Sequence, residues 1–158
     1  MTLIVDLQVA MAGLEPPALD WLTTWLGRCL PATSKGFELT LRLVDAQEMQ
    51  FLNATYRGRD AVTNILSFTA DVPDVVAAGM ERQYLGDLVL CWPVVLQEAA
   101  AQHKSIEAHL AHLLVHGCLH LQGWDHQETE EAEGMEAEEI RVLQEGGIGN
   151  PYQYQGVE

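Results

Sequence analysis

Three histidines and a glycine in HGCLHLQGWDH, residues 116–126, carry the clearest chemical signal in the chain. His116 and His120 are four residues apart, so on a helix they differ by ~40° in direction and by one turn in height. Two imidazoles stacked in that way can share one ion. Gly123 can take the left-handed conformation that ends a helix and turns the chain back, and His126 can return on that turn as a third ligand. Three imidazoles with a fourth coordination position for water describe a catalytic zinc site, one ion, better than a closed structural one.

The spacing matches the metzincin pattern H-E-x-x-H-x-x-G-x-x-H except at its second position, where the proteases carry their general base and this chain has Gly117. The metal set is kept while that base is missing. His109 and His112 lie on nearly the same bearing of the helix, but one ion cannot take all four imidazoles, because His112 and His120 are ~12 Å apart along the axis. His109 and His112 are therefore read as a solvated face, with His112 also a candidate for supporting the site or facing a substrate. Asp125, beside His126, can orient an imidazole through its second nitrogen, serve as a replacement base, or simply form the turn. Cys118 points to the opposite face and reads as core.

A second constellation is LNATYRGRDAVTNILSF, where Arg57 and Arg59 flank a glycine at a helix end. Cations there compensate the helix dipole, and a guanidinium also matches phosphate oxygens in bidentate fashion. The residues alone leave both roles open. Asp87, an acid inside the apolar LGDLVL, either caps the sheet edge or faces the site.

Net charge is −15, from 23 acidic residues against 8 Lys plus Arg. This argues against a broad basic surface of the kind nucleic-acid binders normally carry, while Arg42, Arg57 and Arg59 leave room for a small basic patch. Seven glutamates between 128 and 139 read as the solvated face of a helix. The three cysteines form no CxxC pair, which favours a reducing cytoplasm over a disulfide framework. No stretch approaches the ~20 apolar residues of a membrane span, and the opening MTLIVDLQVA lacks the basic start of a signal peptide.

The elements that must position these residues follow from periodicity and caps. Residues 2–9 and FELTLRLV at 37–44 alternate as strands, and NILSFT and LGDLVLCW supply two more. LDWLTTWLGRCL carries an apolar helical stripe. Asp45 with Glu48 opens a helix that runs to about Tyr56, with Val44 and Met49 as its hydrophobic staple. Pro93 opens another helix. Ser105 caps the histidine helix, 106–122, and an acidic helix runs from Glu128 to about Gln144. The sum is an α+β chain of one domain, 1–158, with a mixed sheet of about four strands, about five helices, and a tail that is loose from about 149.

Taken together, LNATYRGRDAVTNILSF, YLGDLVLCW and HLLVHGCLHLQGWDH resemble the YbeY family of bacterial metal-dependent endoribonucleases, also described as rRNA maturation factors. The likeness runs through residues 40 to 145 in order and spacing. It implies a cytoplasmic, zinc-dependent, single-strand-specific endoribonuclease of 16S rRNA 3′-end maturation and ribosome quality control. RNA is then the substrate, and ribosomal or ribosome-associated proteins are partners. It also implies a zinc-protease-like topology. His116, His120 and His126 match the family's zinc ligands, and Arg57 its functional arginine. Trp124 stands where tyrosine is usual, and Thr69 where proline is common. Two rival readings are a metalloprotease and a non-enzymatic ribosome-assembly factor with a structural metal.

Overall fold

The computed structural model describes residues 2–125 and 127–152. Its elements run β1 (Leu3–Ala10), α1 (Leu19–Arg28), β2 (Phe37–Val44), α2 (Ala46–Arg57), β3 (Ile65–Thr69), α3 (Asp74–Ala77), β4 (Gln83–Cys91), α4 (Trp92–Ala101), α5 (Ile106–Leu121) and α6 (Thr129–Glu145). The sheet order is β1-β2-β4-β3, with β1, β2 and β4 parallel and β3 antiparallel on the outside. The expected α+β domain with a mixed four-stranded sheet is therefore present. Among the described residues there are six helices rather than about five, the addition being the single turn α3, too short to leave a periodic signal.

Alternation in β2 divides the sheet into two faces. Phe37, Leu39, Leu41 and Leu43 join Leu88 and Leu90 of β4 in the main core, against Leu22, Trp25 and Leu26 of α1 and Leu110, Leu114 and Cys118 of α5. On the other face Val44, Met49, Leu66, Val89 and Cys91 form a smaller cluster under α2. The expected staple, Val44 with Met49, is part of it. Asp45 caps α2 by accepting from the Glu48 N–H at 2.9 Å, and Gly58 ends it at φ 69°.

Polar residues fill the rest of that second face. Arg42 forks onto Glu48 at 2.6 and 3.1 Å and reaches Gln8 at 3.0 Å. It is therefore committed to an ion pair and does not join Arg57 and Arg59 in a basic patch. Asp87 accepts from the Tyr84 hydroxyl, which also meets Thr40 at 2.9 Å; burial, then this bond to Asp87, raises the Tyr84 pKa. Of the two roles open to Asp87, neither the sheet edge nor the site is the one found.

Gly86 is required where β3 meets β4. Its φ is 134°, and a Cβ there would lie 2.1 Å from the Phe68 carbonyl oxygen. Only glycine lets the two strands approach so closely. Among the described residues no helix is long and apolar enough to cross a membrane.

Candidate active site

Helix α5 is buried on almost every side, which is why its sequence is apolar nearly all round. Ser105 caps it by accepting from the Ala108 N–H at 3.0 Å. It is stopped at Gly123, whose φ is 99°, with the Trp124 N–H bonded back to the Leu119 carbonyl at 3.1 Å. The expected left-handed glycine is thus the device that reverses the chain. The strip of α5 that is not packed carries His112, His116 and His120. They line a cleft of about 770 Å³ with Arg57, Asn64, Ser67, Trp124, Asp125 and Tyr152 among the other walls.

His116 and His120 sit with ring centroids 4.7 Å apart, whereas His112 and His116 are 6.4 Å apart. His116 Nδ1 lies 2.6 Å from Glu139 Oε2, and His120 Nδ1 lies 2.9 Å from the Trp124 carbonyl. A carbonyl only accepts, and so does an ionised carboxylate. Both Nδ1 atoms therefore carry the proton, which leaves Nε2 as the nitrogen of each ring that could bind a metal. That chemistry fits a divalent ion. His126, the third expected ligand, lies outside the described residues. Among the described residues no set of three His, Cys, Asp or Glu side chains is arranged to hold a metal.

Glu139 is the residue that the sequence reading missed. It is fully buried, and its other oxygen, Oε1, meets His112 Nε2 at 3.0 Å and accepts from the Tyr152 hydroxyl. Burial works against its ionisation, but the hydrogen bonds with His112, His116 and Tyr152 outweigh that and hold its pKa down at about 2. The Tyr152 hydroxyl moves the other way, raised first by burial and then by the adjacent carboxylate. A signal was present: Glu139 falls on the buried stripe of α6, between Met135 and Val142. An acid on an apolar stripe demands a partner. The tail expected to be loose is anchored as far as Tyr152, whose ring packs edge-on against His112 at 5.2 Å.

His109 and His112 do not form the solvated face expected of them. His109 is buried, with Nε2 2.9 Å from Glu98 of α4, and Glu98 also accepts from Asn64 at 3.0 Å. α4 covers the first turns of α5, so only the later histidines reach the cleft.

Arg57 lies in the cleft wall. Its Nη2 donates to the Ser67 carbonyl at 2.6 Å, its Nη1 to the Tyr56 carbonyl at 3.3 Å, and its guanidinium carbon stands 4.6 Å from the Phe68 ring centre. Two of its five N–H groups are so used, and the fork is held against the edge of β3. Asp125 lines the same cleft, whereas Arg59 is not among its lining residues.

The missing glutamate also has a structural reason. A Cβ on Gly117 would lie 2.9 Å from Ile65 Cδ1 and Leu88 Cδ2. Position 117 faces the sheet, so a glutamate there would enter the apolar layer. The edge of β3 is guarded in part as well. Cys91 N–H bonds the Asn64 carbonyl and Ala70 N–H the Leu85 carbonyl, so in the antiparallel alternation residues 65, 67 and 69 turn their backbone groups outward. Asn64 Oδ1 already takes the Ile65 N–H at 2.7 Å, and Arg57 takes the Ser67 carbonyl. A peptide docking by strand addition needs such groups unpaired.

The chain matches the family model Endoribonuclease YbeY over residues 16–147. It is 47% identical over 152 residues to a protein named Endoribonuclease YbeY from Stenotrophomonas maltophilia, covering 94% of each chain. It is 51% identical over 148 residues to one of the same name from Stutzerimonas stutzeri, covering 94% of this chain and 90% of the other. The solution structure of TM1509 from Thermotoga maritima is similar in fold, with a TM-score of 0.53 at 20% identity over 96% of this chain and 100% of that one. The motif around His116 and His120, the arginine at the end of α2 and the strand between them thus sit within a match spanning most of the sequence, and the chain belongs to the YbeY endoribonuclease family.

Proposed function

We propose that this protein is a cytoplasmic, zinc-dependent endoribonuclease that hydrolyses phosphodiesters of single-stranded RNA. Its biological substrate in this reading is the 3′ end of 16S rRNA, in maturation and ribosome quality control, with ribosomal or ribosome-associated proteins as partners. The observation that carries the chemistry is the meeting, in one cleft, of a pair of Nδ1-anchored histidines with an anchored guanidinium.

His116, His120 and His126 would hold the zinc ion, which when bound supplies Lewis acidity toward water or a phosphoryl oxygen. Arg57 binds the scissile phosphate with the N–H groups not spent on Ser67 and Tyr56, and stabilises the charge that develops there. Asp125 is our candidate for orienting an imidazole or accepting a proton from the attacking group. The packing of Gly117 against the sheet and the partly guarded β3 edge oppose a protease. The test is direct: zinc-loaded protein should cut single-stranded RNA and leave casein intact, and chelation should stop cleavage until zinc is restored. Folded, zinc-loaded protein that never cuts RNA would leave the assembly-factor reading in its place.

Substrate binding should depend only weakly on salt. Of the 8 Lys plus Arg, Arg42, Arg82 and Arg141 are held in ion pairs with glutamates, and Arg57 alone of the cations lines the cleft among the described residues. Log K falls by ~0.7 per neutralised phosphate per log unit of salt for single strands. A titration of RNA binding against salt should therefore give the slope of a few phosphates, and a slope requiring about eight contacts would contradict a local site.

A further inference from the structure

We infer that Glu139, reaching in from α6, is the positioning residue for His116, fixing the ring so that Nε2 presents its lone pair to the metal. The inference rests on the proposed role of His116 as a ligand and adds a residue that the histidine motif does not contain. Three observations carry it. Glu139 is fully buried, in a helix that is otherwise acidic on its solvent side. Its Oε2 lies 2.6 Å from His116 Nδ1, in the range of a charge-assisted bond. Its Oε1 is held from the opposite side by His112 Nε2 at 3.0 Å and by the Tyr152 hydroxyl.

A buried carboxylate is costly unless its lone pairs are satisfied. Here the donors come from two turns of α5 and from the C-terminal segment, so the carboxylate cannot rotate without breaking three hydrogen bonds. That rigidity passes to His116. Metal-binding imidazoles are oriented in just this way by a carboxylate on the second nitrogen, and loss of such a partner typically weakens metal binding by 10–100-fold. His112 then has a role without being a ligand: it braces the carboxylate that braces His116.

A purely structural Glu139 would dock α6 on α5 and leave the metal indifferent, and this separates the alternatives. The experiment measures zinc affinity by competition with a chelator for the full chain, for Glu139→Gln, Glu139→Asp and His116→Ala, with apo-state thermal stability recorded alongside. Imidazole nitrogen NMR of the apo protein reads the His116 tautomer. We expect His116 to be an Nδ1–H tautomer in the parent and a mixture in Glu139→Gln, with zinc affinity down by about 10–100-fold. Glu139→Asp, one methylene short of Nδ1, should show the same loss in smaller measure, and it serves if the Gln variant fails to fold. Zinc affinity unchanged in a folded Glu139 variant, while His116→Ala abolishes binding, overturns the positioning role alone. Unchanged affinity in His116→Ala overturns the ligand reading and the inference together.

Discussion

Alanine at His116, His120 or His126 should strip zinc from the protein and abolish RNA cleavage, whereas alanine at His109 should leave the zinc in place. The first three are the proposed ligand set, and a three-residue set has none to spare. Losing one should cost more than the 10–100-fold typical of an outer partner. His109 shares their helix and nearly their bearing, but its Nε2 is spent on Glu98 at 2.9 Å under α4. Its removal should instead lower stability by ~1–3 kcal/mol, the range for breaking a buried polar pair. Zinc per chain, measured after dialysis at fixed metal activity, checks all four variants at once. Full zinc occupancy in His126→Ala would remove that residue from the set and with it the 0, 4, 10 geometry.

The contrast between His109 and His116 also marks how far the sequence could be read. Elements whose ends carry their own chemistry were legible: Asp45 and Gly58 bracket α2, Ser105 and Gly123 bracket α5, and strict alternation gives β2 its bounds. The pairing of His116 with His120 was legible for the same reason, because four-residue spacing is a local property. What periodicity cannot show is which neighbour covers which turn. Four histidines on one strip looked like one environment, but α4 closes over the first and Glu139 of α6 claims the second and third, while the Trp124 carbonyl takes the fourth. Arg42 and Arg57 posed the same problem. They are close in sequence, yet Arg42 sits on the sheet face opposite the first turn of α2 and pairs with Glu48, while Arg57 at the far end reaches the edge of β3. The glycine at 86 left no local trace, because the carbonyl it must avoid belongs to Phe68 on another strand.

Arg57→Lys should lose most of the RNA cleavage while keeping the charge, the zinc and the fold. The guanidinium is fixed by three contacts, to the Ser67 carbonyl, the Tyr56 carbonyl and the Phe68 ring. A planar fork can hold two carbonyls with one edge and address phosphate oxygens with the other. An ammonium at the end of a flexible chain has a single point of charge, so it must abandon either the strand or the phosphate. If Arg57 stabilises the reacting phosphate, cleavage should fall by ~10²–10³, the usual consequence of removing one preorganised donor. If it merely offsets the dipole of α2, lysine should substitute well and Arg57→Ala should cost only ~0.3–1 kcal/mol of stability. The measurement is single-turnover cleavage by the parent, Arg57→Lys and Arg57→Ala at equal zinc occupancy, with thermal unfolding of each. Full activity in both variants would take Arg57 out of the reaction. Attention would then pass to Arg59, which the turn after Gly58 holds through its N–H on the Asn53 carbonyl at 3.2 Å.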